Sequence, residues 1–371
     1  MIQNFNIPQV LSFDDVLLVP KYSPVISRNN VDTSVTLSSK IKLKVPIISA
    51  NMSTVSEYDM CLSMAEIGGM GIIHRMMPAF QVASLINKFT KENPDYPIGF
   101  SFGVGENWYN DVSIIMDGIC SQNVIACLDV AHADSKRVAS VLLQWYTNNR
   151  LQKFPIIIGN IATSDSIRNL EMNIPYEFRQ YVTWKIGIGG GSLCTTRIVT
   201  GFGIPTLHSV MDCWKNYEHE DYYSFIADGG IKNSGDIVKA LSAGATAVMV
   251  GSLLAGTDEA PGNIILGHDN QKYKIYRGSA SFGDKVQRGE KPNNVEGVET
   301  LVKYKGSVKE IVSNLIDGIK SGCSYAGTNE VNELKYITNF VHITHAGLLE
   351  SKPHGKLWAI WWYWTRSNYW S

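Results

Sequence analysis

The sequence lacks most of what would send a chain to a membrane, a structural metal or a nucleic acid. Its first residues, MIQNFNIPQVLSFDD, hold no basic region followed by an apolar core, so no secretory leader is expected. No apolar run approaches the roughly 20 residues needed to span a bilayer. The six cysteines, at 61, 120, 127, 194, 213 and 323, form neither a CxxC pair nor a Cys/His set with zinc spacing. Free thiols in a reducing cytoplasm are the expectation. The net charge is −1 over 371 residues, so no specific nucleic-acid partner and no membrane partner is expected. Any phosphate must be held locally, by backbone amides or a few side chains. No GxGxxG lies between a strand and a helix, which excludes a dinucleotide-binding fold of that type.

What is present is a regular beat. Short apolar runs recur as VPIISA (45–50), MGIIH (70–74), IGFSFGV (98–104), VIACLDV (124–130), FPIIIGN (154–160), TWKIGIG (183–189), FIADGG (225–230) and AVMVGS (247–252). Their start-to-start spacings are 25, 28, 26, 30, 29, 42 and 22 residues, enough each time for a strand and a crossover helix. The runs are apolar on both faces, as parallel strands are. SDSIRNLE and SGDIVKALSAG between them read as amphipathic helices. Eight such units predict an α/β fold, a closed (β/α)8 TIM barrel. Only an ordinary helix fits between the second and third runs, which leaves no accessory domain there. Residues 256–305 read as a flap inserted over the barrel mouth after strand eight. A helix near 307–321 follows, with Ser307 and Glu310 as a capping box. The barrel is expected over 1–355, with a tryptophan-rich tail, 356–371, outside the fold. The tail is either without function or an apolar docking segment.

Three stretches can carry chemistry. GIGGGSLCTTR (187–197) follows strand six, and its glycines let backbone groups converge on a ligand or ion. Motif context alone leaves two readings of Cys194 open: a thiolate that attacks an electrophilic ring carbon, or an inert buried thiol. ADGGIKNSGD (227–236) and MVGS (249–252) end strands seven and eight, where barrels hold phosphate on backbone amides and a helix N-terminus; tight turns are the alternative. Asp228 can accept from a ribose diol. Asp129, at the mouth of strand four, either orients a nicotinamide amide or caps a loop. His74 and His132 are lone strand-end histidines and read as structural.

At these residues a family becomes recognisable. LSFDDVLLVP (11–20), SANMSTV (49–55), GIGGGSLCTTR, IADGGIKNSGDI (226–237), VMVGSLLAG (248–256) and YRGSAS (276–281) resemble the IMP dehydrogenase / GMP reductase family, from about residue 8 to about 355. The resemblance implies that Cys194 adds to C2 of a purine nucleotide. The dehydrogenase branch uses an Arg-Tyr pair in a long flap, whereas the stretch after Ser281 reads FGDKVQRGEKPNNVEG, shorter and without that dipeptide. This stretch, TGFG (200–203) and GCSYAG (322–327) look like the bacterial GMP reductase branch. The implied activity is NADPH-dependent conversion of GMP to IMP and ammonia. An IMP dehydrogenase lacking a CBS domain and a catalytically weak nucleotide-binding protein are the alternatives.

The same resemblance assigns roles. Thr196 and Glu296 form the pair that protonates the leaving ammonia. Ser49, Ser192, Gly230, Gly251, Ser252, Tyr276, Gly278, Ser279 and Gly297 contact the nucleotide, and Asp228 its ribose. Asp129 and Ser135 fall on the cofactor side. The carbonyls of Gly189, Gly191 and Cys194 match a monovalent-cation loop, which implies potassium. A homotetramer is implied as well. Gly190 departs from the family's usual proline, which should loosen this loop.

Overall fold

In the computed structural model, residues 7–119, 121–220, 222–278, 281 and 295–353 are described. The eight apolar runs become strands β1 (Ile47–Ser49), β2 (Met70–Ile73), β3 (Ile98–Phe102), β4 (Val124–Asp129), β5 (Ile156–Ile161), β6 (Val182–Ile186), β7 (Ser224–Asp228) and β8 (Ala247–Val250). All pair in parallel, and β8 returns to β1 through Val248↔Ile47, Met249↔Ile48 and Val250↔Ser49, so the barrel closes. Closure leaves no sheet edge exposed. Burial on both faces explains the unbroken runs: all five residues of β3 and of β6 are buried.

Helices α1 (Tyr58–Ile67), α2 (Ala79–Glu92), α3 (Trp108–Met116), α4 (Lys136–Thr147), α5 (Ser164–Glu171), α6 (Thr206–Tyr217), α7 (Ser234–Ser242) and α8 (Val308–Ala326) cover the barrel. Each buries one stripe. In α4 it is Val138, Val141, Leu142, Trp145 and Tyr146, the i, i+3, i+4, i+7, i+8 spacing of one helical face. Only α2 stands between β2 and β3, so no CBS domain interrupts the barrel there. Among the described residues no helix is long and apolar enough to cross a membrane.

The helix packing is close enough to dictate small residues. A Cβ on Gly71 of β2 would lie 2.5 Å from Cys61 Sγ and 2.6 Å from Cys61 Cα. Gly71→Ala is therefore expected to cost about 1–3 kcal/mol by overpacking α1 against the sheet. Chemical denaturation measures it, and a loss below about 0.5 kcal/mol, the scatter of neutral surface changes, would contradict the packing described.

The two barrel ends differ. At the N-terminal end a hairpin of Val35–Leu37 and Ile41–Leu43 acts as a plug. Its turn residues Ser38 and Ser39 adopt φ of 50° and 52°, the left-handed pair of a tight hairpin. The Ser38 hydroxyl lies 2.7 Å from Thr183 Oγ1, and Ser38 N donates to Ser224 Oγ at 3.2 Å, which fixes the plug to β6 and β7. The C-terminal end stays open. Part of the expected flap is an antiparallel sheet of Ile265–Leu266, Lys272–Arg277 and Glu299–Lys303 beside that mouth. The rest of the flap, between 282 and 294, and the tail 356–371 lie outside the described residues.

The start of α8 differs from the expected capping box. Ser307 is the cap, but its hydroxyl accepts from Lys309 N at 3.2 Å. Glu259 of the insertion accepts from Val308 N at 2.8 Å and from the Ser307 hydroxyl at 3.0 Å. A carboxylate from a distant loop thus takes the free N–H of the first turn. The helix also runs past 321 to Ala326, where Gly327 closes it at φ 84°.

Candidate active site

The loop after β6 places Cys194. A Cβ on Gly187 would lie 1.9 Å from Asp228 O, so only glycine lets β6 end against β7. The chain then turns back on itself, with Cys194 N donating to Gly191 O at 3.1 Å. Gly190 leaves no room for a side chain: a Cβ there would meet Thr206 Oγ1 at 2.5 Å. Cys194 is half-buried, whereas Cys61, Cys127, Cys213 and Cys323 are buried. Burial pushes those four thiols up, Cys323 to about 12, so they are poor thiolate sources.

A strap from the insertion completes the cysteine's surroundings. Thr195 N donates to Glu296 O at 2.9 Å, and Val298 N donates to Leu193 O at 3.1 Å, an antiparallel bridge between Cys194 and Gly297. That bridge carries the Glu296 carboxylate to the loop. Cys194 Sγ donates to Thr196 Oγ1 at 3.1 Å, and Thr196 Oγ1 donates to Glu296 Oε2 at 2.6 Å. Both donors point the same way, so the three groups form a path along which the thiol proton can pass to a carboxylate.

These residues line a cavity of about 490 Å³ at the barrel mouth. At one end lie Ser192, Gly230, Gly251, Ser252 and Tyr276, drawn from the loops after β6, β7 and β8 and from the insertion. The Tyr276 hydroxyl is 3.4 Å from Ser192 Oγ. Burial raises the tyrosine's pKa, so it stays a neutral donor. The helical turn that follows β8, where Leu254 N and Ala255 N donate to Gly251 O, starts at this wall. The cavity wall reaches Ile231 and does not include the first turn of α7. That turn is capped internally, with Asp236 N donating to Asn233 Oδ1 at 3.0 Å and Lys232 N donating to Asp236 Oδ2 at 2.9 Å.

Asp228, Asp129, Gly189, Gly191, Gly278 and Gly297 also line the cavity. Two expected contacts among the described residues do not. Ser49 is fully buried, and its hydroxyl accepts from Ser56 Oγ at 2.7 Å, so it serves the core beneath Ala50 and is withdrawn as a nucleotide contact. Ser135 caps α4, accepting from Val138 N at 3.4 Å, and sits outside the cavity wall. Ser279 lies outside the described residues. His74 is structural as read: Met76 N donates to its Nδ1 at 3.0 Å, and its Nε2 lies 3.1 Å from Glu57 Oε1. His132 is exposed and off the cavity.

Sequence reading missed the cavity floor. Lys185 on β6 is 2% exposed and donates to Asp129 Oδ1 at 2.9 Å, to Asp228 Oδ2 at 3.2 Å and to Asn160 Oδ1. Asn160 Nδ2 donates to Asp228 Oδ2 at 2.8 Å and to Gly187 O at 2.7 Å. Arg75 Nε approaches Asp129 Oδ2 at 3.6 Å. Burial alone would raise the Asp129 carboxyl, but the Lys185 ammonium and the Arg75 guanidinium outweigh it and hold the group below the usual carboxylate range. Burial would lower Lys185, and the two carboxylates instead hold its proton far above the usual lysine value. The signal was visible: a lone lysine inside an apolar strand, TWKIGIG, requires a buried partner. Among the described residues no three His, Cys, Asp or Glu side chains are grouped to hold a metal.

Residues 10–354 match the family model described as the IMP dehydrogenase / GMP reductase domain. The chain is 34% identical to inosine-5'-monophosphate dehydrogenase of Cryptosporidium parvum, over 94% of this chain and 96% of that protein. It is 28% identical to GMP reductase of Leishmania major, over 94% and 97%. Among solved structures it resembles a GMP reductase variant from Trypanosoma brucei in complex with guanosine 5'-monophosphate, with a TM-score of 0.87, 27% identity, and coverage of 96% of this chain and 100% of that one. Relatives of both activities thus match nearly the whole of this chain.

Proposed function

The chain belongs to the IMP dehydrogenase / GMP reductase family of nucleotide oxidoreductases, and from that premise we propose that it is a GMP reductase, converting GMP to IMP and ammonia with NADPH. The observation that carries this reading is the Cys194–Thr196–Glu296 path, at 3.1 and 2.6 Å. Reductive deamination must protonate an amine before it leaves, and a hydroxyl backed by a carboxylic acid does that. The flap sequence, without an Arg-Tyr pair to activate water, supports the same direction.

In this reading Ser192, Gly230, Gly251, Ser252 and Tyr276 hold the phosphate, and Asp228 accepts from the ribose diol. Gly278 and Gly297 bring backbone to the base. The Cys194 proton passes through Thr196 to Glu296, and the thiolate adds to C2. The proton then returns through Thr196 to the exocyclic amine. The C2–N bond breaks with its electron pair on ammonia, leaving a thioimidate. When bound, a reduced nicotinamide would supply the hydride that completes IMP and lets the thiolate leave. Arg75, Asp129, Val130 and Ala131 fit such a ring, offering a carboxylate for the carboxamide and an apolar wall. A monovalent cation such as potassium fits the carbonyls of Gly189, Gly191 and Cys194, which are hard oxygen donors. Gly191 O keeps a lone pair beyond the one taken by Cys194 N.

A cytoplasmic homotetramer goes with this reading. Ile198, Val199 and Phe202, next to the cysteine loop, are 85%, 58% and 77% exposed, an apolar patch suited to a neighbouring subunit. Light scattering in solution tests it.

A second reading, IMP dehydrogenase without a CBS domain, is favoured by the higher identity to the Cryptosporidium dehydrogenase. One assay separates the two. Enzyme with GMP and NADPH is expected to lose reduced-nicotinamide absorbance, while IMP with NAD yields little. The reverse pattern decides for the dehydrogenase, and no turnover in either direction decides against both.

A further inference from the structure

The cavity floor holds one residue that touches both ends of the proposed chemistry. Lys185 lies inside the barrel, and removing an ammonium from water is costly unless its protons are all accepted. They are: three donors meet three acceptors, on Asp129, Asn160 and Asp228. The stem is held as firmly as the head. A Cβ on Gly159 of β5 would lie 2.5 Å from Lys185 Cβ and 3.2 Å from its Cε. Glycine in a strand interior marks such a close approach, and here it lets the lysine cross from β6 toward β4 and β7.

The consequence concerns the two carboxylates. Asp129 sits with Arg75, Val130 and Ala131, and Asp228 sits with Gly229, Gly230 and Ser192. We propose that Lys185 is a positioning residue that couples the cofactor and nucleotide subsites: one ammonium, bonded to both carboxylates, fixes the spacing of Asp129 and Asp228, so neither subsite forms properly without it. This rests on the assignment of Asp228 to the ribose and Asp129 to the nicotinamide carboxamide. With its protons committed, Lys185 acts through these groups and transfers no proton itself.

The sign of the pH effect follows from the groups that face the ammonium. These are Arg75 from the end of β2, Cys127 and Asp129 on β4, Asn160 on β5 and Asp228 on β7, with Asn51 beside Asp129. With Lys185 present, Asp129 keeps its charge below the ordinary carboxylate range, and its contribution is lost only as pH falls through that lowered value. Without the ammonium, Asp129 loses the charge that most offsets its burial and takes up a proton at higher pH.

The test uses Lys185→Met, the double variant Lys185→Met/Asp129→Asn, and Gly159→Ala, which keeps every charge but displaces the stem. Calorimetric titrations with GMP, IMP and each nicotinamide dinucleotide read the two subsites separately. Lys185→Met is expected to weaken nucleotide and dinucleotide binding about 10- to 100-fold each, the scale of a hydrogen bond to a charged group. The acid limb of kcat/KM should move toward neutral pH. Gly159→Ala should weaken both bindings together. The double variant, relieved of the leftover charge, should fold but, with the ammonium still absent, should stay weakened toward both nucleotide and dinucleotide. Affinities within about twofold of the parent in Lys185→Met or in the double variant, or an unmoved acid limb, would overturn the proposal. So would a double variant that cannot fold, because a positioning role requires the neutralised cluster to be tolerated. These bindings are read whichever direction the parent turns over; a parent that binds neither GMP nor IMP sinks the functional reading instead.

Discussion

Cys194→Ala is expected to lower GMP reduction by at least about 10⁴-fold, the scale seen when an enzyme loses its nucleophile. The change removes a single sulfur from a half-buried position on the cavity wall. Its backbone anchors, Cys194 N to Gly191 O and Thr195 N to Glu296 O, involve no side chain and persist. Stability should therefore change by less than about 1 kcal/mol, and GMP should bind within about threefold of the parent. No described cysteine can substitute, because the other four are buried and their thiols are pushed up. Steady-state rates and calorimetry on one preparation check both halves. Turnover within tenfold of the parent would mean that the purine reacts without a covalent bond to this sulfur.

Glu296→Gln should separate the two halves of the reaction. The amide keeps an acceptor for the Thr196 hydroxyl, and the strap through Glu296 O is backbone, so the cysteine loop should hold its shape. What is lost is a group that can take a proton and return it. Ammonia release is expected to slow by about 10²- to 10⁴-fold, the usual worth of a positioned acid or base. Hydride transfer from IMP to NADP⁺ in a single turnover needs no amine protonation, so it loses only the help Glu296 gives in deprotonating Cys194 and should slow clearly less than ammonia release. Rapid-quench measurement of ammonia beside stopped-flow absorbance gives both numbers. Equal losses in both halves would point to a distorted loop. Unchanged ammonia release would make Glu296 an ordinary solvated carboxylate of the flap.

The barrel was legible because parallel strands buried on both faces must be apolar from end to end, and eight runs at crossover spacing leave few alternatives. Asp228 was legible for a related reason: it ends strand seven, where the fold itself sets its place, whereas Cys194 was left open by its motif and took its role, like Thr196, from the family resemblance. Contacts made across the sheet were not legible. Lys185, Asn160 and Arg75 belong to three different strand ends, and only closure brings them together on Asp129 and Asp228. Ser49 was misjudged because a motif does not say which way a strand residue faces. Its hydroxyl turns to Ser56 in the core. At the start of α8 the sequence showed the Ser307 cap but not Glu259, which reaches it from the insertion. The two loops after β7 and β8 do converge on the cavity, but the N-terminus of α7 is closed by Asn233 and Asp236.

The most direct measurement is the intact mass of the Glu296→Gln variant, acid-quenched after mixing with IMP and NADP⁺ in the absence of ammonia. Hydride leaves C2 under these conditions, and no amine is present to displace the sulfur. The protein should gain the mass of IMP less one molecule of hydrogen, on the peptide that holds Cys194. A nicotinamide reduced in full stoichiometry with no mass gained at Cys194 would contradict the covalent route.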